Sequence, residues 1–449
     1  MKNCSALLGV DSKVELDHAV AMILYLYRLV LWFFMPFIFV RLLWRSLREP
    51  EYAKRIPERF GYVGKPKTCD RIWFHTVSAG ETISAAPVIK SLMSRKLGLS
   101  FLVTTMTPSG SAMVRKIFND SVEHLYLPYD YTFSVSRFFD RLQPKLLILM
   151  ETELWPNLIN EASKRNIPVI CINARLSEKS ARGYNLIRPL VGKLLGQIDF
   201  VACQYQQHVE RFEALGLEAN KISALGNMKF DIDLPVEIAN GSRERKKSWG
   251  LEDRLVWIAA STHEGEEQIV LDAYQPLKER YPDLLLILVP RHPVRAKKIG
   301  EHFAANSLTV CYQADRDDNN SLSNIDVLIG DVMGSLVELY GLADVAFVGG
   351  SFVQVGGHNP IEPAAYGLPI LVGPHQHNFS EVMIEFEKNG GLITVMNGKE
   401  LLERLTFLFS SDDERHKMGA AGLTTIENNR GTTEKLTDLL ETRISGFVS

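Results

Sequence analysis

"LLILMETELWPNL", residues 146–158, opens as an unbroken apolar run, closes it on Glu151 and Glu153, and turns at Trp155-Pro156 into what reads as a helix start. A short apolar run of this kind, followed by a helix, marks a strand buried on both faces of a parallel sheet. The phrase recurs along the chain. In the first half come "RIWFHTV" (71–77), "SFLVTTM" (100–106), "IPVICIN" (167–173), "DFVACQ" (199–204) and "ISALGN" (222–227). In the second come "RLVWIAAS" (254–261), "LLLILVP" (284–290), "DVLIGD" (326–331), "DVAFVGG" (344–350), "PILVGP" (369–374) and "LITVMN" (392–397). Helical stretches such as 86–95, 155–165, 266–280 and 335–343 lie between them. Two successive series predict an α/β chain with two Rossmann-like domains. In such sheets ligands bind at the carboxyl ends of the strands, so the chemistry is sought there.

Length and composition agree. A chain of 449 residues exceeds what one hydrophobic core serves. Net charge is −3, which gives no overall attraction to nucleic acid or anionic membrane, so any anion binding must be local. Cys4, Cys69, Cys171, Cys203 and Cys311 are odd in number and without a C-x-x-C pair, which argues against a disulfide framework and fits a reducing compartment. Between the halves, residues 231–250 are polar and lack apolar periodicity. The basic cluster at 243–247 reads as a solvated linker or helix face.

The start of the chain departs from this pattern. Residues 19–40, "AVAMILYLYRLVLWFFMPFIFV", would form a helix of ~33 Å, about the hydrocarbon thickness of a bilayer. Arg28 and Pro36 count against a clean span; the expectation is a single membrane anchor, spanning or interfacial, with a buried or surface-docked helix as the alternative. Arg41, Arg45, Arg48, Lys54, Arg55 and Arg59 follow it, which predicts that the rest of the chain is cytoplasmic. The expected organisation is an extension (1–18), an anchor with a basic flank (19–48), a first domain (49–232), a linker (233–250) and a second domain with C-terminal helices (251–449).

Several strand ends carry candidate chemistry. After "RIWFHTV", Ser78, Ala79 and Gly80 allow a tight turn, and Glu81 opens a helix. Glu81 can complement the helix dipole or take a proton from a hydroxyl. The dipole would lower its pKa, so basicity would require desolvation by substrate. Glu151 and Glu153 end the next apolar strand, and Lys229 follows the Gly226-Asn227 turn. In the second half Arg291 and Arg295 suit phosphate or carboxylate, and Met333-Gly334 enters a helix whose N–H groups can hold a phosphate. Gly349-Gly350 and Gly356-Gly357 permit close backbone approach. Asn359 with Glu362 three residues later has the spacing of a capping box. An arginine pair, a glycine–helix cradle and a fixed carboxylate together describe a nucleotide site, in which Glu362 holds a ribose. His375, His377 and the Asp231-Ile232-Asp233 triplet are weak metal candidates, and no P-loop, G-x-S-x-G or zinc spacing is present.

"HTVSAGET", "TTMTPSG", "LPYD", "METELWPNL", "NARLS", "STHEGEE", "LVPRHP", "GGHNPIEPAA" and "GPHQHNF" together resemble the 3-deoxy-D-manno-octulosonic acid (Kdo) transferases of Gram-negative bacteria. The resemblance implies a GT-B fold, two Rossmann-like domains facing across a cleft, with acceptor on the first domain and donor nucleotide on the second. It implies inverting, metal-independent transfer of Kdo from CMP-Kdo to the lipid A precursor at the cytoplasmic face of the inner membrane, with no cofactor and no nucleic-acid partner. By motif, the base falls on Glu81 and transition-state support on Glu151 and Lys229. The CMP contacts fall on Pro290 and Arg291, on Met333, Gly334 and Ser335, and on Asn359, Pro360, Ile361 and Glu362. Ser335 stands where the family usually has glutamate, and Val332 where it usually has threonine. Candidates to meet the acceptor's phosphates are the basic residues between 41 and 59, with Arg175 and Arg182. Rival readings are a nucleotide-sugar epimerase of the same fold and an inactive membrane-bound sensor of sugar nucleotides.

Overall fold

The computed structural model describes residues 5–64, 70–232, 236–316 and 321–448. They divide into two compact units, residues 1–228 with 431–449, and residues 229–430.

The first unit is built on a seven-stranded parallel sheet. Its strands are β1 (Arg71–His75), β2 (Ser100–Thr105), β3 (Glu123–Tyr126), β4 (Leu146–Met150), β5 (Val169–Ala174), β6 (Phe200–Cys203) and β7 (Ile222–Ala224). They lie in the order β3-β2-β1-β4-β5-β6-β7. The second unit repeats the plan with β8 (Val256–Thr262), β9 (Leu285–Pro290), β10 (Val310–Tyr312), β11 (Val327–Ile329), β12 (Val345–Val348), β13 (Ile370–Val372) and β14 (Leu392–Thr394). Its order is β10-β11-β9-β8-β12-β13-β14. Alternate side chains of one strand enter different cores. On β1, Trp73 joins one cluster while Ile72 and Phe74 join another. On β8, Trp257 and Ala259 face one way and Val256, Ile258 and Ala260 the other. Helices cover both faces, which is why these strands read as continuous apolar runs.

The sequence pattern missed β3 and β10. Both are edge strands, and neither "EHLY" nor "VCY" is buried throughout. A strand with one open side has no need of an unbroken apolar run.

Three expected boundaries shift. The extension and the anchor form one helix, Ser5–Arg48, uninterrupted by Pro36. The expected linker is largely the helix Val236–Ser248, residues 233–235 lying outside the described part. It belongs to the second unit: Ser242 Oγ donates to the Glu338 carbonyl at 3.0 Å, Arg245 pairs with Glu338, and Lys246 pairs with Asp344 at 3.0 Å. Part of the basic cluster is therefore docked rather than solvated. The last helix, Thr432–Val448, expected in the second domain, belongs to the first unit. Leu436, Leu440 and Ile444 are buried among Ile89, Leu92 and Phe118, and Arg95 pairs with Asp438 and Glu441.

The N-terminal helix lies along the first unit. Residues 18–47 contain an 18-residue stretch with a mean hydropathy of 2.0 and are long and apolar enough to cross a membrane. Yet Tyr27 Oη donates to Asp130 at 2.8 Å, Arg28 Nε to Asn157 Oδ1 at 2.9 Å, and Tyr131 Oη to the Leu31 carbonyl at 3.0 Å. Phe39 stacks on Phe60. The outer face, with Phe33, Phe34, Phe37 and Trp44, stays exposed. Arg28, costly in lipid, has a polar partner on the protein instead.

Candidate active site

In the first unit, Ser78 caps the helix Ala79–Ser94. Glu81 Oε2 accepts the Val77 N–H at 2.8 Å, and Oε1 accepts the Ser78 hydroxyl at 3.0 Å. The carboxylate is thus fixed beyond the end of β1. Burial raises its pKa to about 7, against the two hydrogen bonds, and the negative charges of Glu151 and Glu153 add to the rise. The sequence expectation that the helix dipole would leave Glu81 acidic until substrate arrives is corrected: the protein's own packing supplies the desolvation.

Glu151 sits at the end of β4 in a left-handed conformation, φ +56°. Its N–H donates to the Ile172 carbonyl at 3.0 Å. Glu153 accepts from Trp155 Nε1 at 2.8 Å, and burial raises its pKa. The structure therefore gathers Glu81, Glu151 and Glu153 at the carboxyl edge of neighbouring strands. Lys229 belongs to the second unit, where its ammonium lies 4.8 Å from the centre of the Phe379 ring.

In the second unit, Pro290 ends β9 and Arg291 follows it, exposed. Arg295 is not its twin: it makes a two-pronged ion pair with the buried Glu267, at 2.8 and 3.0 Å. The expected arginine pair reduces to Arg291. The expected capping box also differs. Asn359 Oδ1 accepts the Ile361 N–H at 3.0 Å while its amide donates to Glu362 Oε1 at 3.1 Å. Glu362 is thereby held by a side chain, beside buried Pro360 and Ile361. Burial raises its pKa, and Asn359 and Arg291 oppose the rise.

Met333 is exposed, Gly334 has φ +91°, and Ser335 is buried. The Ser335 hydroxyl reaches Gln313 Oε1 and the Val332 carbonyl, each at 2.9 Å. It is engaged within its own unit.

Sequence reading passed over two features. Glu266, fully buried at the start of the helix Glu266–Arg280, accepts the N–H groups of His263, Gly350, Ser351 and Phe352 at 2.7–3.0 Å. It fixes the glycine turn after β12. The signal was present in "HEGEE", an acidic residue directly after a glycine at a helix start. The second is a histidine pair: His263 Nε2 and His358 Nε2 lie 2.8 Å apart with rings stacked. One nitrogen must donate and the other accept, and burial with the nearby Arg291 charge lowers the His358 pKa to about 4. Gly350, at φ +67°, leaves room for this pair, since a Cβ there would lie 2.8 Å from the His358 ring.

The description "3-Deoxy-D-manno-octulosonic-acid transferase (kdotransferase)" belongs to the family that matches residues 54–232, and "Glycosyl transferases group 1" to the one that matches residues 268–424. The 3-deoxy-D-manno-octulosonic acid transferase of Haemophilus influenzae is 40% identical over 402 residues, covering 88% of this chain and 93% of its own. That of Bordetella pertussis is 31% identical, covering 89% and 94%. Among solved structures, the UDP-GlcNAc 2-epimerase of Neisseria meningitidis superposes with a TM-score of 0.57 at 14% identity, over 83% of this chain and all of its own. A glycosyltransferase from Rickettsia africae gives 0.54 at 14%, over 85% and 99%. These last two likenesses establish the fold, which is GT-B. Two parallel sheets in the expected strand pattern and close relatives along nearly the whole chain lead to one conclusion: the chain belongs to the 3-deoxy-D-manno-octulosonic acid transferase family.

Proposed function

We propose that this glycosyltransferase moves Kdo from CMP-Kdo to a hydroxyl of a lipid A precursor, by a single displacement with inversion at the anomeric carbon and without a metal or other cofactor. The observation that carries the reading is Glu81: a fixed, partly buried carboxylate at a strand end, its pKa raised to about 7. That value suits a general base at neutral pH.

In this mechanism Glu81 takes the proton of the acceptor hydroxyl as its oxygen bonds to the anomeric carbon. The bond from that carbon to the CMP phosphate oxygen breaks, and the electron pair leaves with CMP. Glu151 and Lys229 support the transition state. Arg291 offsets charge on the donor. Pro290, Met333, Gly334, Ser335, Asn359, Pro360 and Ile361 shape the nucleotide pocket, and Glu362 accepts the ribose hydroxyls. Ser335, turned toward Gln313, contributes through backbone rather than through the carboxylate usual in the family.

The N-terminal helix brings the enzyme to the cytoplasmic face of the inner membrane, where a lipid acceptor resides. Its polar bonds to the first unit at Tyr27, Arg28 and Leu31 favour a helix lying in the interface over one crossing the bilayer.

Incubating the protein with CMP-Kdo and lipid A precursor, with and without a chelator, and reading the product by mass spectrometry tests the reading. A Kdo-sized increment that survives chelation supports it. No increment, or one abolished by chelator, rejects the corresponding part.

A further inference from the structure

The N-terminal helix turns one face to the first unit. Val20, Leu24, Leu31 and Ile38 are buried or partly covered, at the spacing of a single helix face, while Leu26 and Phe33 stand exposed. Tyr27 and Arg28 lie in the middle of the covered face, and Arg28 is the single charge in residues 19–40. Anchoring requires neither polar group, since an all-apolar helix binds lipid better.

Both side chains reach the same place, where Asp130 meets the start of the helix Pro156–Lys164. Tyr27 Oη donates to Asp130 Oδ2 at 2.8 Å, and Arg28 Nε donates to Asn157 Oδ1 at 2.9 Å. Asp130 and Asn157 are 3% and 1% exposed. The Asp130 carboxylate accepts the N–H groups of Asn157 and Leu158, both at 2.9 Å, and its carbonyl accepts from the Asn157 amide. That last bond turns the amide oxygen of Asn157 toward Arg28. Next to this clasp, Tyr131 Oη donates to the Leu31 carbonyl at 3.0 Å.

The loop 151–155, with Glu151 and Glu153, runs from the end of β4 to this clasped helix start. Its near end is tied by the Glu151 N–H to the Ile172 carbonyl at 3.0 Å, and Glu151 has φ +56°. A residue other than glycine keeps that conformation only where its surroundings over-determine it. At the far end the Trp155 carbonyl accepts the Ile159 N–H at 3.0 Å, while the Trp155 indole donates to Glu153 at 2.8 Å. The helix start thus holds the indole, and the indole holds the carboxylate.

From this chain of contacts we infer that Tyr27 and Arg28 are positioning residues for the transfer reaction: by clamping the start of the helix Pro156–Lys164 they keep the loop 151–155, and its two carboxylates, in working geometry. The N-terminal helix is part of the active-site scaffold as well as an anchor. The inference rests on the transferase reading above.

The test compares the full chain with the variant Y27F/R28L, which makes the helix more apolar. Flotation on vesicles of neutral lipid should be unchanged or stronger. In detergent micelles of lipid A precursor with CMP-Kdo, recruitment to a bilayer plays no part. There kcat should fall roughly 10- to 100-fold, the range that displacing a catalytic group costs, with KM for CMP-Kdo unchanged. Amide exchange at residues 151–158 should quicken. The variant F33S/F37S, on the exposed face, should do the reverse: weaker flotation, wild-type kcat in micelles and unchanged exchange. A wild-type kcat in Y27F/R28L, or an equal fall in F33S/F37S, overturns the inference. If the double variant does not fold, Y27F alone carries the test with the same readouts. If the wild type transfers nothing, the transferase reading fails and amide exchange decides. Faster exchange at 151–158 in Y27F/R28L but not in F33S/F37S supports the clamp, and no difference between them overturns it.

Discussion

Glu266 accepts the backbone N–H of Gly350 at 2.7 Å across 84 residues of sequence, and the same carboxylate takes three further N–H groups. A buried group that satisfies four donors has no neutral substitute: a glutamine presents an amide where an acceptor is needed. Glu266→Gln should lower the stability of the second unit by about 2–4 kcal/mol, several hydrogen bonds to a charged group being weakened or lost together. Denaturant unfolding followed by tryptophan fluorescence measures it, and an unchanged midpoint would show the turn to be held by other means.

Glu81→Gln preserves the shape of the turn, since the amide oxygen can accept the Val77 N–H. It removes the proton acceptor. The turnover rate should drop roughly 10²–10⁴-fold, the usual contribution of a general base, with CMP affinity retained in calorimetry. In the wild type the active form is the carboxylate, and burial raises its pKa to about 7. The rate should therefore climb as pH rises through about 7 and level off above it. A profile already flat between pH 5 and 6, on the order of the ordinary carboxyl range plus one unit, would remove Glu81 from this role.

Asp130 caps the helix Pro156–Lys164 through the N–H groups of Asn157 and Leu158, both at 2.9 Å, and anchors Tyr27 of the N-terminal helix at 2.8 Å. Asp130→Ala strands two buried N–H groups and a hydroxyl, at a cost of about 2–4 kcal/mol. Faster amide exchange should appear both in residues 156–164 and in the N-terminal helix. Exchange confined to one of them would break the proposed coupling.

Removing residues 431–449 should destabilise the first unit, where Leu436, Leu440 and Ile444 are buried, and leave the second almost untouched. Limited proteolysis locates the damage. Cuts concentrated in residues 229–430 would contradict that packing.

Arg291 and Arg295 should part company in kinetics. Arg291→Ala should raise KM for CMP-Kdo roughly tenfold, as for a charged hydrogen-bond donor. Arg295→Ala leaves buried Glu267 unpaired and should act mainly on melting temperature. Equal effects of both on KM would restore the arginine pair expected from sequence.

Strand runs were legible because a doubly covered parallel sheet imposes its requirement on every residue of a strand. Residues such as 146–150 and 285–290 announce themselves with no knowledge of their neighbours, whereas the edge strands β3 and β10 are free of that requirement and left no such mark. The carboxylates at strand ends were legible for a related reason: the end of an apolar run is a local feature. Partner choice was not. Nothing in the spacing of "PRHPVR" distinguishes Arg291 from Arg295; that depends on Glu267, brought opposite by a helix that begins before the preceding loop. The apolar face of the last helix shows that it must be buried, but not that it returns to the first unit. The pKa of Glu81 depends on how much water the folded chain excludes and on charges arriving from β4. Sequence by itself determined the strands covered on both faces, because burial on both faces is written locally. The tertiary structure alone decided which charged groups meet, because Coulomb and desolvation energies depend on distances through space that the chain's order does not contain.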